Sequence, residues 1–205
     1  HYFRVVKTDI PLTTSEIKKV DGITKLFVNG KETAPMMYLR EQTTVFKDQY
    51  ATGMENSGFN LIGLPNARSY EMNRAGAIWI GNDLYDFAPL DDVIYETLAG
   101  APESYLMLSF DANPPEWWLD ENPDARALDN KGNTYTNGVS YASQKWRDDV
   151  IKYYNAMIDY ILKQPYASHI FGIKISAGVT FEWQHYGLSL STCGDYSVAA
   201  RDGFR

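Results

Sequence analysis

Cysteine is nearly absent from this sequence, and long apolar runs are missing. The chain of 205 residues has one cysteine, Cys193, so no disulfide can form within it. No apolar stretch approaches the roughly 20 residues that a membrane-spanning helix requires. The glycine-rich phosphate loop of doubly wound nucleotide-binding folds is also missing. The sequence therefore excludes an internally disulfide-bonded scaffold and a membrane-spanning helix, and it does not indicate a nucleotide cofactor.

Positive charge is scarce as well. The chain has 19 Lys and Arg residues against 26 Asp and Glu residues, which gives a formal net charge of −7. Nucleic acids and anionic membranes are not attracted to an acidic surface, so we expect neither as a partner. Histidine occurs only 3 times, and no arrangement of residues indicates a metal site or a Ser/His/Asp or Cys/His catalytic group. No metal or other cofactor is expected.

Aromatic residues, by contrast, are abundant. They make up 14% of the chain, with 15 Tyr and 5 Trp. Many of them adjoin polar residues instead of lying inside apolar runs, which indicates a surface on which flat rings stack. Together with the negative charge, this composition is compatible with a neutral substrate such as a sugar.

A β-hairpin is predicted near the N-terminus. Asn29-Gly30 is a favoured two-residue hairpin turn, because both positions tolerate a positive φ. We therefore expect Leu26–Val28 to pair with Lys31–Ala34. Upstream of this hairpin, residues 1–22 begin with an alternating pattern and continue as a polar connector.

From residue 36 onward, short apolar runs alternate with segments of helical period. The predicted strands are Met36–Leu39, Phe59–Leu64, Ser104–Phe110 and Ile170–Ile175, and the predicted helices cover residues 46–57, 90–98 and 143–163. Such alternation predicts a parallel sheet with right-handed crossovers. Residues 66–86 and 119–142 are predicted to be long loops that follow strands, as on the active face of a (β/α) barrel.

The predicted fold is therefore α/β, of the (β/α) or TIM-barrel type. A closed barrel of eight units needs ~250 residues. Residues 36–205 are thus expected to supply about the first four strand–helix units, the N-terminal half of a barrel. Residues 1–35 are expected to form a separate β segment with the hairpin.

Candidate chemistry concentrates after the last predicted strand. The apolar run Ile170–Ile175 gives way to small and polar residues and then to Glu182, Trp183, Gln184, His185 and Tyr186. Active sites of (β/α) barrels lie at the carboxyl ends of strands, so we interpret Glu182 as a general acid/base. Its neighbours Phe181 and Trp183 would raise its pKa by desolvation, as an acid working near neutral pH requires. A loop carboxylate in a surface ion pair fits the position equally well.

A second polar and aromatic group, Asn113–Trp118, follows the preceding strand. Two prolines stiffen this loop, which is expected to present Trp117 and Trp118 for stacking on sugar rings. Burial of either Trp beneath the loop is as compatible with the sequence. Glu116 is interpreted as structural. Arg40, at the end of the first predicted strand, either orients a catalytic carboxylate or lies at the surface.

Several spaced motifs resemble those of one enzyme family. They are Phe27–Lys31 with Pro35 and the strand Met36–Arg40, then Pro114–Trp118, Asn122-Pro123, Gly132, Ser140–Asp149, and Gly172–Gly187 with Glu182-Trp183. In this order they resemble the (β/α)8 glycoside hydrolases of clan A, and among these the family 42-type β-galactosidases. The resemblance covers roughly residues 23–190.

This resemblance implies a retaining glycosidase in which the fourth strand delivers the acid/base, Glu182. Residues expected to line sugar subsites are Trp79, Asn113, Trp117, Trp183, His185 and Tyr186, with Arg40 beside the catalytic carboxylate. The family's nucleophile is a Glu near the end of the seventh strand, which this chain does not contain, so the chain alone is expected to be inactive. The family usually has Asn directly before the acid/base, to bond the substrate 2-hydroxyl, whereas Phe181 stands here.

Two other interpretations stay open. The chain is compatible with a non-catalytic carbohydrate-binding protein on a degenerate barrel, and Phe181 favours this alternative. It is also compatible with a half-barrel that dimerises and thereby covers its exposed edge strands. The expected partners are accordingly an oligo- or polysaccharide and either the remainder of the barrel or a second copy of the chain.

Overall fold

The chain divides into two units. The computed structural model describes residues 11–40, 49–67, 77–178, 183, 185–187, 192 and 194–204. The first unit consists of His1–Pro65, Leu90–Ser109 and Ile158–Lys174, and the second of Asn66–Pro89, Phe110–Met157 and Ile175–Arg205.

The N-terminal region forms an antiparallel sheet of three strands, β1 (Ser15–Val20), β2 (Ile23–Val28) and β3 (Lys31–Thr33). The predicted hairpin is confirmed, because Val28 pairs with Lys31 across Asn29-Gly30. The prediction of a polar connector before β2 is wrong, since β1 pairs with β2 along its whole length. Asp21 and Gly22, with φ of 50° and 82°, form the turn between them, and this is the backbone that two-residue hairpins favour.

The α/β region follows in chain order. Its elements are β4 (Tyr38–Leu39), α1 (Gln49–Asn56), β5 (Leu61–Ala67), β6 (Trp79–Gly81), β7 (Leu84–Tyr85), α2 (Ala88–Gly100), β8 (Tyr105–Asp111), α3 (Glu116–Glu121), β9 (Arg126–Leu128), β10 (Thr134–Val139), α4 (Gln144–Ile161), β11 (Ile170–Ser176) and α5 (Val198–Gly203). Single turns of 3-10 helix occur at Pro123–Ala125 and Pro165–His169. None of the helices in the described ranges has the length and apolarity needed to cross a membrane.

A four-stranded sheet has the order β11-β8-β5-β4. Strands β4 and β5 run parallel, with Leu39 opposite Gly63. A Cβ atom at Gly63 would lie 2.6 Å from a methyl carbon of Leu39, so a side chain at this position would require the exposed Leu39 side chain to move. The predicted α/β fold with a parallel sheet is confirmed. In the part of the chain that the structure describes, this sheet is open and does not close into a barrel.

Helix α4 carries the predicted core stripe. The members of this stripe are Trp146, Val150, Tyr153, Met157 and Ile161, and all of them are buried. Strand β8 contributes alternate buried residues, Leu106, Leu108 and Phe110. The periods of 3.6 and 2 residues that were visible in the sequence therefore correspond to the packed faces of the two elements.

The predicted loop over residues 66–86 is wrong in its second half. Strands β6 and β7 form a hairpin in which Trp79 lies opposite Tyr85. Asp83 takes the left-handed conformation in the connecting turn, with φ of 52°. Asp tolerates this conformation better than most residues, because its short polar side chain can bond locally.

The predicted loop over residues 119–142 is also wrong. It contains the end of α3 and the antiparallel pair β9 and β10, in which Thr134 lies opposite Leu128. In the connecting turn, the Asp129 carboxylate accepts hydrogen bonds from the backbone N–H groups of Lys131 and Asn133, both at 2.8 Å. The side-chain and backbone N–H groups of Asn133 hold the pKa of Asp129 below its usual value.

Candidate functional site

The ends of β8 and β11 are fastened to each other just after their apolar runs. The backbone N–H of Ala112 donates to the carbonyl of Ser176 at 2.7 Å, and the Ser176 hydroxyl donates to the carbonyl of Phe110 at 3.1 Å. All three residues are buried. The small polar residue that follows the apolar run of β11 therefore joins two neighbouring strands.

Asn113 holds the chain where it leaves β11. Its Nδ2 donates to the carbonyl of Gly178 at 3.0 Å, and its Oδ1 accepts from the backbone N–H of Gly178 at 3.0 Å. The Tyr186 hydroxyl donates to the same Oδ1 at 3.0 Å. Gly178 has φ of 85°, a conformation that glycine adopts without a steric penalty. We name this set of contacts among Asn113, Gly178 and Tyr186 the Asn113 clamp.

Trp183 is held in an unusual backbone conformation. Its φ is 59°, which is rare for a bulky residue. Its backbone N–H donates to the carbonyl of Ala177 at 2.9 Å, and its indole Nε1–H donates to the carbonyl of Ile175 at 3.0 Å. The residue is nevertheless 50% exposed. Backbone strain of this kind persists only where the surroundings enforce it, and it is common at functional sites.

Trp183 belongs to a group of rings around Tyr141. The centroids of Trp146, Trp183, Tyr186 and His185 lie 5.3, 5.6, 6.0 and 6.4 Å from that of Tyr141, and Tyr135 stacks on Tyr186 at 5.7 Å. We name these six rings the tyrosine cluster. Burial raises the pKa of Tyr141 and of Tyr186, so both hydroxyls keep their protons at neutral pH.

Tyr135, on β10, supports the tyrosine cluster. Its hydroxyl lies within hydrogen-bond distance of the carbonyls of Thr192 and Gly194. Gly187 packs so closely that an added Cβ would lie 2.7 Å from the Tyr135 ring. Tyr135 lies on a strand within a region that was predicted to be a loop, and it contacts the described residues Gly187, Thr192 and Gly194.

A second group of rings is centred on Trp79. The centroids of Tyr153, Trp117 and Trp118 lie 5.4, 5.8 and 6.2 Å from that of Trp79, and Tyr85 stacks on Tyr153 at 5.6 Å. We name these five rings the tryptophan cluster. Trp79 and Trp118 are 3% and 0% exposed, whereas Trp117 is half-buried. The tandem prolines lead directly into helix α3, which directs Trp118 into the core.

Asp149 provides the polar partner of the tryptophan cluster. It accepts a hydrogen bond from the Trp118 indole at 2.9 Å and forms ion pairs with Lys145 and Lys152. Burial raises the pKa of Asp149, but the hydrogen bonds from Lys145, Trp118 and Lys152 outweigh this effect and hold the pKa below its usual value. The carboxylate is therefore ionised at neutral pH.

Two charged residues considered in the sequence are engaged in the scaffold. The Arg40 guanidinium donates to the carbonyl of Val93 at 3.0 Å and to the Thr97 hydroxyl at 2.6 Å, both on α2. It also forms an ion pair with Glu96 at 2.9 Å. Glu116 forms an ion pair with Arg126. Arg40 thus joins β4 to α2 in the first unit.

The structure brings together four of the predicted site residues, namely Asn113, Trp183, His185 and Tyr186. Trp79 and Trp117 belong to the tryptophan cluster instead, and Arg40 lies in the first unit. Glu182 and Phe181 lie outside the described residues. Within the described ranges, no group of three or more His, Cys, Asp and Glu side chains is arranged to hold a metal ion.

The supporting residues Tyr135, Tyr141 and Gly178 were not predicted from the sequence. Tyr135 and Tyr141 lie in a region that was predicted to be a loop, where an alternating pattern through Thr134–Val139 was the available signal. Gly178 follows the strand by two residues, and a glycine at such a position indicates a backbone turn.

Comparison with known proteins agrees with the resemblance seen in the sequence. Residues 81–176 match the model of glycoside hydrolase family 42, described as beta-galactosidase. The matched range extends from β6 to the end of β11 and includes Asn113, but it ends before Glu182. No curated protein matches the chain. The resemblance to family 42-type β-galactosidases is confirmed over this part of the chain.

Two solved structures have a similar fold. A β-galactosidase from the psychrophilic Marinomonas ef1 aligns with a TM-score of 0.59 at 16% identity, and the alignment covers 82% of this chain and 24% of that one. A polyextremophilic β-galactosidase from the Antarctic haloarchaeon Halorubrum lacusprofundi aligns with a TM-score of 0.57 at 18% identity and covers 82% and 23%. The chain therefore spans about a quarter of the length of these TIM-barrel proteins. At such identities the likeness shows the fold alone.

Proposed function

We propose that this chain forms the first four strand–helix units of a (β/α)8 barrel and supplies the acid/base half of a retaining glycoside hydrolase site. The observation that carries the proposal is the match of residues 81–176 to family 42. The element order β4-α1, β5-α2, β8-α4, β11 supports it, as does the likeness to barrel β-galactosidases. The substrate is a carbohydrate with an O-glycosidic bond, and a β-galactoside is the first one to test.

In this mechanism Glu182 has two successive tasks. As an acid it protonates the glycosidic oxygen while a nucleophilic carboxylate, contributed by the rest of the barrel, attacks the anomeric carbon. As a base it then takes a proton from the water that hydrolyses the glycosyl-enzyme. Retaining enzymes hold the two carboxyl groups roughly 5 Å apart, so turnover requires the complete barrel.

Exposure supports Trp183 and His185 as the described residues that contact the sugar. Trp183 is 50% exposed, with an indole fixed by two hydrogen bonds, and it is suited to stack on a pyranose ring. His185 is half-buried, with its Nδ1 hydrogen-bonded to the carbonyl of Tyr186 at 3.1 Å, which leaves its other ring nitrogen for a hydroxyl. Trp79 and Tyr186 are buried and act through the scaffold.

The test is a Glu182→Gln variant of the complete gene product, assayed on two aryl β-galactosides. Hydrolysis of phenyl galactoside, whose leaving group needs protonation, should fall by about 10²- to 10⁴-fold. Formation of the glycosyl-enzyme from 2,4-dinitrophenyl galactoside should be nearly unaffected, because that leaving group departs without a proton. Azide should then restore turnover and yield the β-galactosyl azide.

Glu116→Gln is the matched control. Its carboxylate is exposed and paired with Arg126, so turnover of both substrates should stay near the unsubstituted level. Unchanged hydrolysis of phenyl galactoside by Glu182→Gln would contradict the proposed role of Glu182. An inverted product would contradict the retaining mechanism.

A carbohydrate-binding protein is the second candidate function. Phe181, in the position where the family usually has Asn, favours it, because the side chain that bonds the 2-hydroxyl in the transition state is then missing. In that case the complete gene product would bind galactosides and turn over neither aryl substrate. Calorimetric titration with galactose or lactose, beside the two assays above, separates the candidates.

A further inference from the structure

We propose that Asn113 is a positioning residue and not a sugar contact. It holds Gly178 and Tyr186, which precede and follow Trp183 in the sequence, and we expect it thereby to position Trp183 and its sequence neighbour, the proposed acid/base. The effect on catalysis rests on the function proposed above, whereas the Asn113 clamp rests on the described hydrogen bonds alone.

The Asn113 side chain is already committed to the protein backbone. Its amide pairs with both the N–H and the C=O of Gly178, as a neighbouring strand would. Its Oδ1 also accepts the Tyr186 hydroxyl. The side chain is only 4% exposed, so a sugar hydroxyl has no access to these atoms.

The clamp is anchored on a rigid element. Asn113 follows strand β8 by two residues, and its backbone N–H donates to the Asp111 carboxylate at 2.9 Å. Pro114 and Pro115 follow at once and restrict the backbone on the other side. Because the backbone of Asn113 is restricted on both sides, its side-chain amide holds Gly178 at a fixed position relative to the end of β8.

A second attachment holds Trp183 independently of the clamp. The Trp183 backbone N–H donates to the carbonyl of Ala177, and the Trp183 indole donates to the carbonyl of Ile175. Neither bond involves Asn113. Removing the clamp should therefore shift Trp183 without releasing it, which is the behaviour expected of a positioning residue.

A small shift should lower kcat more than it alters KM. Misplacement of a catalytic group by 1 Å costs up to about 100-fold in rate. Because the Asn113 side chain touches no substrate in this proposal, and Trp183 keeps its own two hydrogen bonds to Ala177 and Ile175, the stacking face is retained and the affinity for the sugar should change little. A direct sugar contact would instead raise KM.

The experiment uses Asn113→Asp and Tyr186→Phe in the complete gene product. Asp has the shape of Asn, but its carboxylate has no donor for the Gly178 carbonyl. The Phe variant keeps the ring and removes the hydroxyl that donates to Asn113. We expect kcat to fall about 10- to 100-fold for Asn113→Asp and about 3- to 10-fold for Tyr186→Phe, with KM within about threefold.

Matched controls are Asn122→Asp and Tyr154→Phe. Asn122 donates its amide to the Trp118 carbonyl at the end of α3, so its substitution removes an equivalent bond elsewhere in the second unit. The Tyr154 hydroxyl is buried and has no hydrogen-bond partner among the described residues. Both controls should keep kcat within about twofold of the parent, because their side chains are not part of the Asn113 clamp.

The rate of amide hydrogen exchange at Gly178 measures whether the Asn113 clamp is formed, independently of catalysis. Exchange should accelerate in Asn113→Asp and stay unchanged in both controls. Unchanged exchange in Asn113→Asp, or a rise in KM with kcat preserved, overturns the proposal. If Asn113→Asp fails to fold, Tyr186→Phe decides by the same two readouts. If Glu182→Gln leaves turnover intact, the proposed function fails, while the exchange measurement still decides whether the clamp exists.

Discussion

The tryptophan cluster and the tyrosine cluster use the same kind of residue in different ways. In the tryptophan cluster, Trp118 is fully buried and its indole N–H is bound by the Asp149 carboxylate. In the tyrosine cluster, Trp183 is half exposed and its indole N–H is bound by the carbonyl of Ile175. One ring is fixed by packing on all sides, and the other by backbone hydrogen bonds that leave part of it open.

This difference suggests separate roles, with the tryptophan cluster stabilising the fold and Trp183 of the tyrosine cluster available to contact a ligand. A ring that is enclosed by packing stabilises the fold, because its removal leaves a cavity. A ring that is fixed by its backbone and open to solvent contributes little to the core, but it meets a ligand at little entropic cost because it is already ordered. The two clusters should therefore respond in opposite ways to the same substitution.

The largest expected effect is that of Trp118→Ala in the tryptophan cluster. Removing this fully buried side chain should lower the free energy of unfolding by about 3–5 kcal/mol, because it leaves a cavity and removes one of the hydrogen bonds that Asp149 accepts. Urea denaturation followed by circular dichroism measures the loss. A loss below about 1 kcal/mol would show that this cluster is not part of the core.

Gly187→Ala should cause the next largest loss, in the tyrosine cluster. A Cβ there would lie 2.7 Å from the Tyr135 ring at a φ of 74°, so we expect a loss of about 2–4 kcal/mol from strain and overpacking. Gly132→Ala is the control, since its φ is 85° and no atom lies within 4 Å. Gly132→Ala should lower the free energy of unfolding by only about 1–2 kcal/mol, which is the cost of placing a non-glycine residue in the left-handed conformation. Equal losses for the two variants would mean that the Tyr135 ring moves aside without a further loss of stability.

Asp149→Asn tests the polar partner of the tryptophan cluster. We expect a loss of about 1–3 kcal/mol at neutral pH, because a charged hydrogen-bond acceptor is replaced by a neutral one. The pKa of Asp149 is depressed in the folded state, so its stabilisation is present above its unfolded pKa of about 4 and is lost as the pH falls through the folded value. The stability difference between parent and variant should therefore disappear in acid, as denaturation curves at several pH values would show. A difference independent of pH would contradict this assignment.

The smallest expected loss of stability is that of Trp183→Ala. The side chain is half exposed, so unfolding should become easier by less than about 1 kcal/mol. Affinity for a galactoside should nevertheless fall about tenfold, because the stacking face is lost. Denaturation and sugar titration of the same sample provide both values. A large stability loss with unchanged affinity would remove the contrast between the two clusters.

Much of the fold was predictable where one face of an element is apolar. The stripe from Trp146 to Ile161 predicted α4, and the short apolar runs predicted β5, β8 and β11 to within a few residues. Strand β1 was missed because it is mostly exposed and has little apolar periodicity. Its turn, Asp21-Gly22, has the same chemistry as Asn29-Gly30, and that signal alone was sufficient to find it.

The candidate site was predictable in its location more than in its roles. Polar residues after β8 and β11 indicated where Asn113 and Tyr186 would matter. The role of Asn113 was not predictable, because its partner Gly178 lies 65 residues later and the pairing depends on how the strands align. Sequence likewise could not distinguish the buried Trp118 from the half-exposed Trp183, since Trp suits both environments.

The half-exposed indole of Trp183 also has an optical consequence. Trp79, Trp118 and Trp146 are buried and Trp117 is half-buried, so an aqueous quencher such as iodide reaches Trp183 in preference to the three buried rings. Trp183 should emit at a longer wavelength than the buried tryptophans, and a sugar ring that stacks on it should protect it from the quencher. The protein therefore carries an intrinsic fluorophore one residue from the proposed acid/base, which reports occupation of the site without a label.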